Sequence, residues 1–133
     1  MRLTTKGEYA LIALISLARH PSNAYVQAGK ISQQYHISEK YLDSILSILK
    51  QHHIIIAKRG FGGGYRLAKD KNAIIIADIV RLMDGALAPV PSTSKFFYEP
   101  TVLEKEKKLH GIFQEIRDYI AKRLEHTTLA DVL

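Results

Sequence analysis

The chain has 133 residues, 47% of them apolar, enough for one compact core without covalent staples. It contains no cysteine, which excludes disulfides, thiolate zinc sites, cysteine-ligated iron–sulfur clusters and cysteine nucleophiles. The net charge is +6 and unevenly placed: residues 1–70 hold ten Lys/Arg against four Asp/Glu, whereas residues 71–133 hold nine of each. A basic half joined to a neutral half is the pattern of a polyanion-binding module on a neutral scaffold. No run approaches 18 apolar residues, and Met1 to Lys6 lacks the apolar stretch of a signal peptide. The expectation is a cytoplasmic chain with no membrane span.

The first element is a helix from Thr4 to about Arg19. Thr5-Lys6-Gly7-Glu8 has capping-box spacing, and Tyr9, Ala10, Ala13, Leu14 and Leu17 follow at helical intervals. His20-Pro21-Ser22-Asn23 ends it. A shorter helix is expected from about Gln27 to Tyr35, and a third, capped by Ser38, through about Gln51. On the third, Tyr41, Leu42, Ile45, Ile48 and Leu49 share an apolar face. Lys40, Asp43, Ser44 and Ser47 lie opposite. Two helices joined by His36-Ile37, the second amphipathic, form a helix-turn-helix candidate.

Ile54 to Lys58 is a β-branched run and Tyr65 to Lys69 alternates with period two. Between them Arg59-Gly60-Phe61-Gly62-Gly63-Gly64 makes a cationic, glycine-rich tip, so the pair reads as a two-stranded β-hairpin, a wing after the helix-turn-helix. Ala77 to about Met83 predicts a short helix ended by Asp84-Gly85. Residues 86–101, with three prolines and Ser92-Thr93-Ser94, read as an extended, partly mobile linker, and Phe96, Phe97 and Tyr98 within it are expected to dock it against the rest of the chain. From about Val102 to His126, Leu109, Ile112, Phe113, Ile116, Tyr119, Ile120 and Leu124 form one stripe. About 22 residues give a helix of roughly 33 Å, longer than the core of so small a domain, which points to a partner along the stripe. Leu129 to Leu133 predicts a final helical turn.

These segments together resemble the Rrf-two family of bacterial winged-helix transcription regulators, the IscR, NsrR and CymR-like group. The resemblance rests on Met1-Arg2-Leu3-Thr4-Thr5-Lys6-Gly7-Glu8-Tyr9-Ala10, Ile37-Ser38-Glu39-Lys40-Tyr41-Leu42 and the wing from Arg59 to Leu67. Ile79 to Gly85 and Thr127 to Val132 extend it over nearly the whole chain. It implies a mainly α fold: a winged helix-turn-helix DNA-binding domain over 1–85, a linker over 86–101 and a dimerisation helix with C-terminal segment over 102–133. It also implies a homodimer whose C-terminal helices cross, probing a palindromic operator on double-stranded DNA, most simply as a repressor. Many relatives carry three cysteines between the fourth and fifth helices and bind an iron–sulfur cluster. Here Ser92 and Thr101 lie roughly where cysteines are expected, neither is a good iron ligand, and no cofactor is expected. A cluster-free member leaves an effector protein, such as a metabolic enzyme, or a small molecule as the source of its signal.

The candidate recognition residues are Ser38, Lys40, Tyr41, Asp43, Ser44 and Ser47, placed for the major groove. Lys58, Arg59, Gly60, Phe61, Gly62, Gly63 and Gly64 form the wing. Arg59 suits the narrow minor groove, where negative potential is strongest. Arg2, Lys6 and Lys50 are candidate phosphate contacts. Leu109, Ile112, Phe113, Ile116, Tyr119 and Ile120 are the candidate dimer interface. The six histidines show no metal-motif spacing, and no nucleophile–base arrangement or phosphate loop suggests an enzyme.

Overall fold

The computed structural model describes residues 1–133. In chain order it contains α1 (Thr5–Ala18), α2 (Ala28–Tyr35), α3 (Glu39–Gln51), β1 (Ile55–Lys58), β2 (Gly64–Leu67), α4 (Ile76–Asp84) and α5 (Lys107–Glu125). Short 3-10 turns lie at Pro91–Thr93, Val102–Lys105 and Ala130–Val132. Five helices and one antiparallel hairpin make the mainly α winged helix-turn-helix expected from the sequence.

The N-terminus of α1 departs from the expected capping box. Thr4, not Thr5, is the cap, and its hydroxyl accepts from Gly7 N at 3.2 Å. The third helical position is then Gly7, which has no side chain to reach back. Asp84, at the end of α4, supplies the carboxylate instead: Thr4 N donates to Asp84 Oδ2 at 2.9 Å and the Thr4 hydroxyl donates to Oδ1. A Cβ on Gly7 would stand 2.2 Å from Asp84 Oδ2, so the glycine makes room for this distant cap.

The turn between α2 and α3 is fixed by two reciprocal contacts. Ile37 N donates to Ser32 O at 3.1 Å, and the Ser32 hydroxyl donates to Ile37 O. His36 takes the left-handed conformation (φ 56°) and Ile37 is buried. The two helices are thereby locked over a core in which Leu14, Ile31, Leu42, Leu46, Ile79 and Leu129 have almost no exposed surface. Leu46 belongs to the buried face of α3. Tyr41, placed on that face by periodicity, is 39% exposed, with its ring meeting Tyr9 of α1 edge-on at 5.7 Å.

The C-terminal region is not one long helix. A 3-10 turn at Val102–Lys105 precedes α5, whose 19 residues span about 28 Å. Within α5 only Ala121 is buried, while Leu109, Ile112, Ile116 and Tyr119 are exposed along one side. After α5 the chain turns back to the head. Ile76 N donates to Thr127 O at 2.9 Å, Leu129 N donates to Ile74 O at 2.8 Å, and Leu129 enters the core.

Residues 86–101 are anchored differently from the expected linker. Ser92, Thr93 and Ser94 are buried, whereas Phe96, Phe97 and Tyr98 are exposed. The small hydroxyl residues are buried with their polar atoms satisfied locally: the Thr93 hydroxyl donates to Val90 O, and Phe97 N donates to the Ser94 hydroxyl. Phe96 instead lies beneath the Arg81 guanidinium, 4.8 Å from its centroid. No helix is long and apolar enough to cross a membrane.

Arg81 also ties α4 to α5, donating to Glu125 Oε1 at 2.6 Å. This hydrogen bond holds the Glu125 carboxyl below its ordinary range. A folded-state value below the unfolded one contributes stability above the ordinary glutamate range and loses it as pH falls through the folded value. Glu125→Gln is therefore expected to melt below the wild type near neutral pH, with the gap closing as pH falls below the ordinary glutamate range. Thermal melts across that range check it; a gap that stays constant contradicts the tie.

Candidate nucleic-acid interface

The outer face of α3 carries the polar residues that the sequence placed there. Ser38 caps the helix, its hydroxyl accepting from Tyr41 N at 3.4 Å, and the Ser44 hydroxyl donates to Tyr41 O at 2.6 Å. Lys40, Asp43 and Ser47 are exposed. Ser38 and Ser44 thus spend part of their hydrogen-bonding capacity on the helix, while Lys40, Asp43 and Ser47 keep theirs for a ligand. Lys50 is exposed at the far end of α3, Arg2 is exposed, and Lys6 is half-buried in the first turn of α1.

In the wing, Ile55 pairs with Leu67, Ile56 with Arg66, Ala57 with Tyr65 and Lys58 with Gly64. Ile55 is buried and seats the hairpin on the core. Arg59, Gly60, Phe61 and Gly62 are all exposed at the tip, with Phe61 wholly so. The four glycines divide into two pairs. Gly60 (φ 86°) and Gly62 (φ 72°) need positive φ but face open space. Gly63 and Gly64 face the protein's own backbone. A Cβ on Gly63 would stand 2.2 Å from Lys58 O, and one on Gly64 2.5 Å from Val26 O. Their lack of a side chain serves the fold directly.

The close approach at Gly64 admits a third backbone segment. Val26 N donates to Tyr65 O, and Tyr65 N donates to Val26 O, both at 2.8 Å. This bridge joins the loop before α2 to the hairpin and places the Tyr25 ring against two cations, Lys58 Nζ at 5.6 Å and the Arg66 guanidinium at 4.8 Å. On the other side of the ladder, the Tyr65 hydroxyl is pushed up by burial and, secondarily, by the negative charge of Asp43. α3 also packs directly against β1, so its exposed polar face and the hairpin belong to one end of the fold. Tyr25 and Arg66 escaped the sequence reading. Period-two alternation through β2, which sets Arg66 on the face of Lys58, was the available signal for Arg66; nothing local marks Tyr25.

Ser92 and Thr101, the positions expected to replace cluster cysteines, do come together. Their hydroxyl oxygens lie 2.7 Å apart, and Ser92 Oγ is 2.9 Å from His110 Nε2 on α5.

A family model described as an iron-dependent transcriptional regulator, Rrf2, matches residues 3–133. The chain belongs to the Rrf2 family. CymR of Bacillus subtilis is 32% identical over 133 residues, covering 99% of this chain and 89% of that protein. IscR of Yersinia pseudotuberculosis is 30% identical, covering all of this chain and 79% of that one. Among solved structures, CymR (YrzC), the global cysteine regulator of B. subtilis, superposes with a TM-score of 0.86 at 30% identity, over 99% of this chain and 95% of that one. IscR of T. potens superposes with a TM-score of 0.70 at 26% identity, over 99% and 85%. This Rrf2 protein is a DNA-binding transcription regulator, in a family of regulators rather than enzymes.

The iron in the family's description does not fit the residues present. Thiolate ligands are absent from the sequence, and the hydroxyls of Ser92 and Thr101 are spent on each other and on His110. Neutral hydroxyls are poor ligands for iron–sulfur clusters, and a lone imidazole does not make a coordination set.

The two pairs of glycines separate in a stability measurement. Gly63→Ala forces a methyl into backbone and is expected to cost about 3 kcal/mol. Gly60→Ala carries only the cost of positive φ, about 1–2 kcal/mol. Urea unfolding of both variants checks this; equal losses contradict the division.

Proposed function

We propose that the chain is a homodimeric, sequence-specific transcriptional repressor that reads a palindromic operator. Residues 1–85 act as the reading head, 86–101 as a strap, and 102–133 as the dimerising part. α3 enters the major groove with Ser38, Lys40, Tyr41, Asp43, Ser44 and Ser47 toward base edges and backbone. The wing tip enters the adjacent minor groove, led by Arg59. Arg2, Lys6 and Lys50 contact phosphates and set the register. The observation that carries this reading is an exposed polar face on α3 together with an exposed cationic, glycine-jointed tip on the hairpin whose first strand packs against α3.

The unpartnered apolar side of α5 supports the dimer. Leu109, Ile112, Ile116 and Tyr119 expose 42–71% of their surface, and Phe113 and Ile120 flank them half-buried. A second α5 packed along this side removes that surface from water, the main driving force for association. With no ligand set for iron, the signal comes through an effector protein or a small molecule, and repression follows from occupancy of the operator.

Two variants test the reading on a duplex enriched from a random library. Ile116→Asp is expected to yield monomers by analytical ultracentrifugation and to lose operator binding. Arg59→Ala is expected to stay dimeric and to bind about tenfold more weakly. A dimeric Ile116→Asp overturns the α5 interface, and unchanged affinity of Arg59→Ala overturns the wing contact.

A further inference from the structure

We propose that Tyr25, Lys58 and Arg66 form a second DNA-contacting surface on the outer side of the wing. In it Tyr25 positions two cations for the sugar–phosphate backbone flanking the site read by α3 and the wing tip. This rests on the DNA-binding reading above and extends the contact beyond the tip.

The pleat dictates the cluster. Ile55 and Leu67 pair, as do Ala57 and Tyr65, so those residues share the side that carries buried Ile55. Ile56–Arg66 and Lys58–Gly64 are the alternate pairs, so Lys58 and Arg66 are diagonal neighbours on the opposite side. Two like charges there repel unless something intervenes. Tyr25 does, because the Val26–Tyr65 bridge brings its ring to 5.6 Å from Lys58 Nζ and 4.8 Å from the Arg66 guanidinium. The negative face of the ring attracts both cations and lets them share one small patch.

Neither cation has a carboxylate partner. The chain's two ion pairs are Arg81–Glu125 and Arg117–Asp118, both outside the wing. Stacking occupies the flat face of a guanidinium and leaves its N–H edges free, which is the geometry that binds phosphate oxygens. Arg66 also lines a cleft of about 320 Å³ with His20, Lys69 and Lys71. Asp70 is the one carboxylate there, and its Oδ1 accepts from Asn72 N and Nδ2 at 2.7 and 2.9 Å. Three cations, Arg66, Lys69 and Lys71, against one carboxylate leave the strip net positive, which fits a continuous polyanion running past the wing.

The probe is a random-sequence duplex of about 40 base pairs, titrated by fluorescence anisotropy over a range of KCl concentrations, because the salt slope counts neutralised phosphates. Arg66→Gln and Lys58→Gln are each expected to reduce the slope by about 0.9. Tyr25→Ala is expected to weaken binding about two- to five-fold with a shallower slope, and Tyr25→Phe, which keeps the ring, to restore wild-type behaviour. Melting curves accompany each variant. The partly exposed site of Arg66→Gln keeps the test independent of any loss of stability in Tyr25→Ala. Wild-type slopes in Arg66→Gln and Tyr25→Ala, with Arg59→Ala still impaired, overturn the second surface and leave the DNA-binding reading standing. A wild-type chain that binds no duplex overturns both.

Discussion

The head is organised by one close approach of backbone to backbone. Gly64 leaves open the space that a Cβ would fill beside Val26, and the loop before α2 pairs with Tyr65 through two 2.8 Å hydrogen bonds. An isolated two-stranded hairpin is marginal in water. A third strand-like segment, together with buried Ile55, converts this one into a fixed part of the core. The direction of the wing then follows from the core rather than from the flexibility of its tip. Gly63 closes the tip inward through its N–H, which donates to Gly60 O at 3.0 Å. Gly60 and Gly62 leave the outer turn to Arg59 and Phe61.

The same logic of distant contacts joins the head to α5. Asp84 caps α1 from the end of α4, the Met1 amino group donates to Ala88 O, and Arg81 reaches Glu125. Leu129 fills the core from beyond α5, a burial worth about 1.5–3 kcal/mol. The strap between α4 and α5 ends in the Ser92, Thr101 and His110 contacts. A displacement of α5 or of the strap therefore has covalent and hydrogen-bonded routes to the start of α1, where Lys6 lies in the first turn and Arg2 just before the cap.

The elements that repeat at a period of two or 3.6 were legible in the sequence. The apolar face of α3 reappears because its burial builds the core, and the hairpin and the stripe on α5 reappear as well, although the stripe is exposed rather than buried within the chain. What escaped depended on residues far apart in the chain. Thr5-Lys6-Gly7-Glu8 fitted a local capping box, but a carboxylate 80 residues away from Thr4 took that role. Phe96, Phe97 and Tyr98 promised docking by size, yet Ser92, Thr93 and Ser94, whose hydroxyls find partners within the folded chain, are the residues buried. The recognition-face and tip residues were placed by pattern. Tyr25 was not, since its importance comes from a bridge that only the folded chain forms.

The central claim is that two heads of this kind, joined through α5, read DNA as a symmetric pair. Selection from random duplex DNA with the purified full-length chain tests it most directly. The account predicts enrichment of an inverted repeat whose half-sites are separated by a whole number of helical turns. A single asymmetric site, or no enrichment above input, contradicts it.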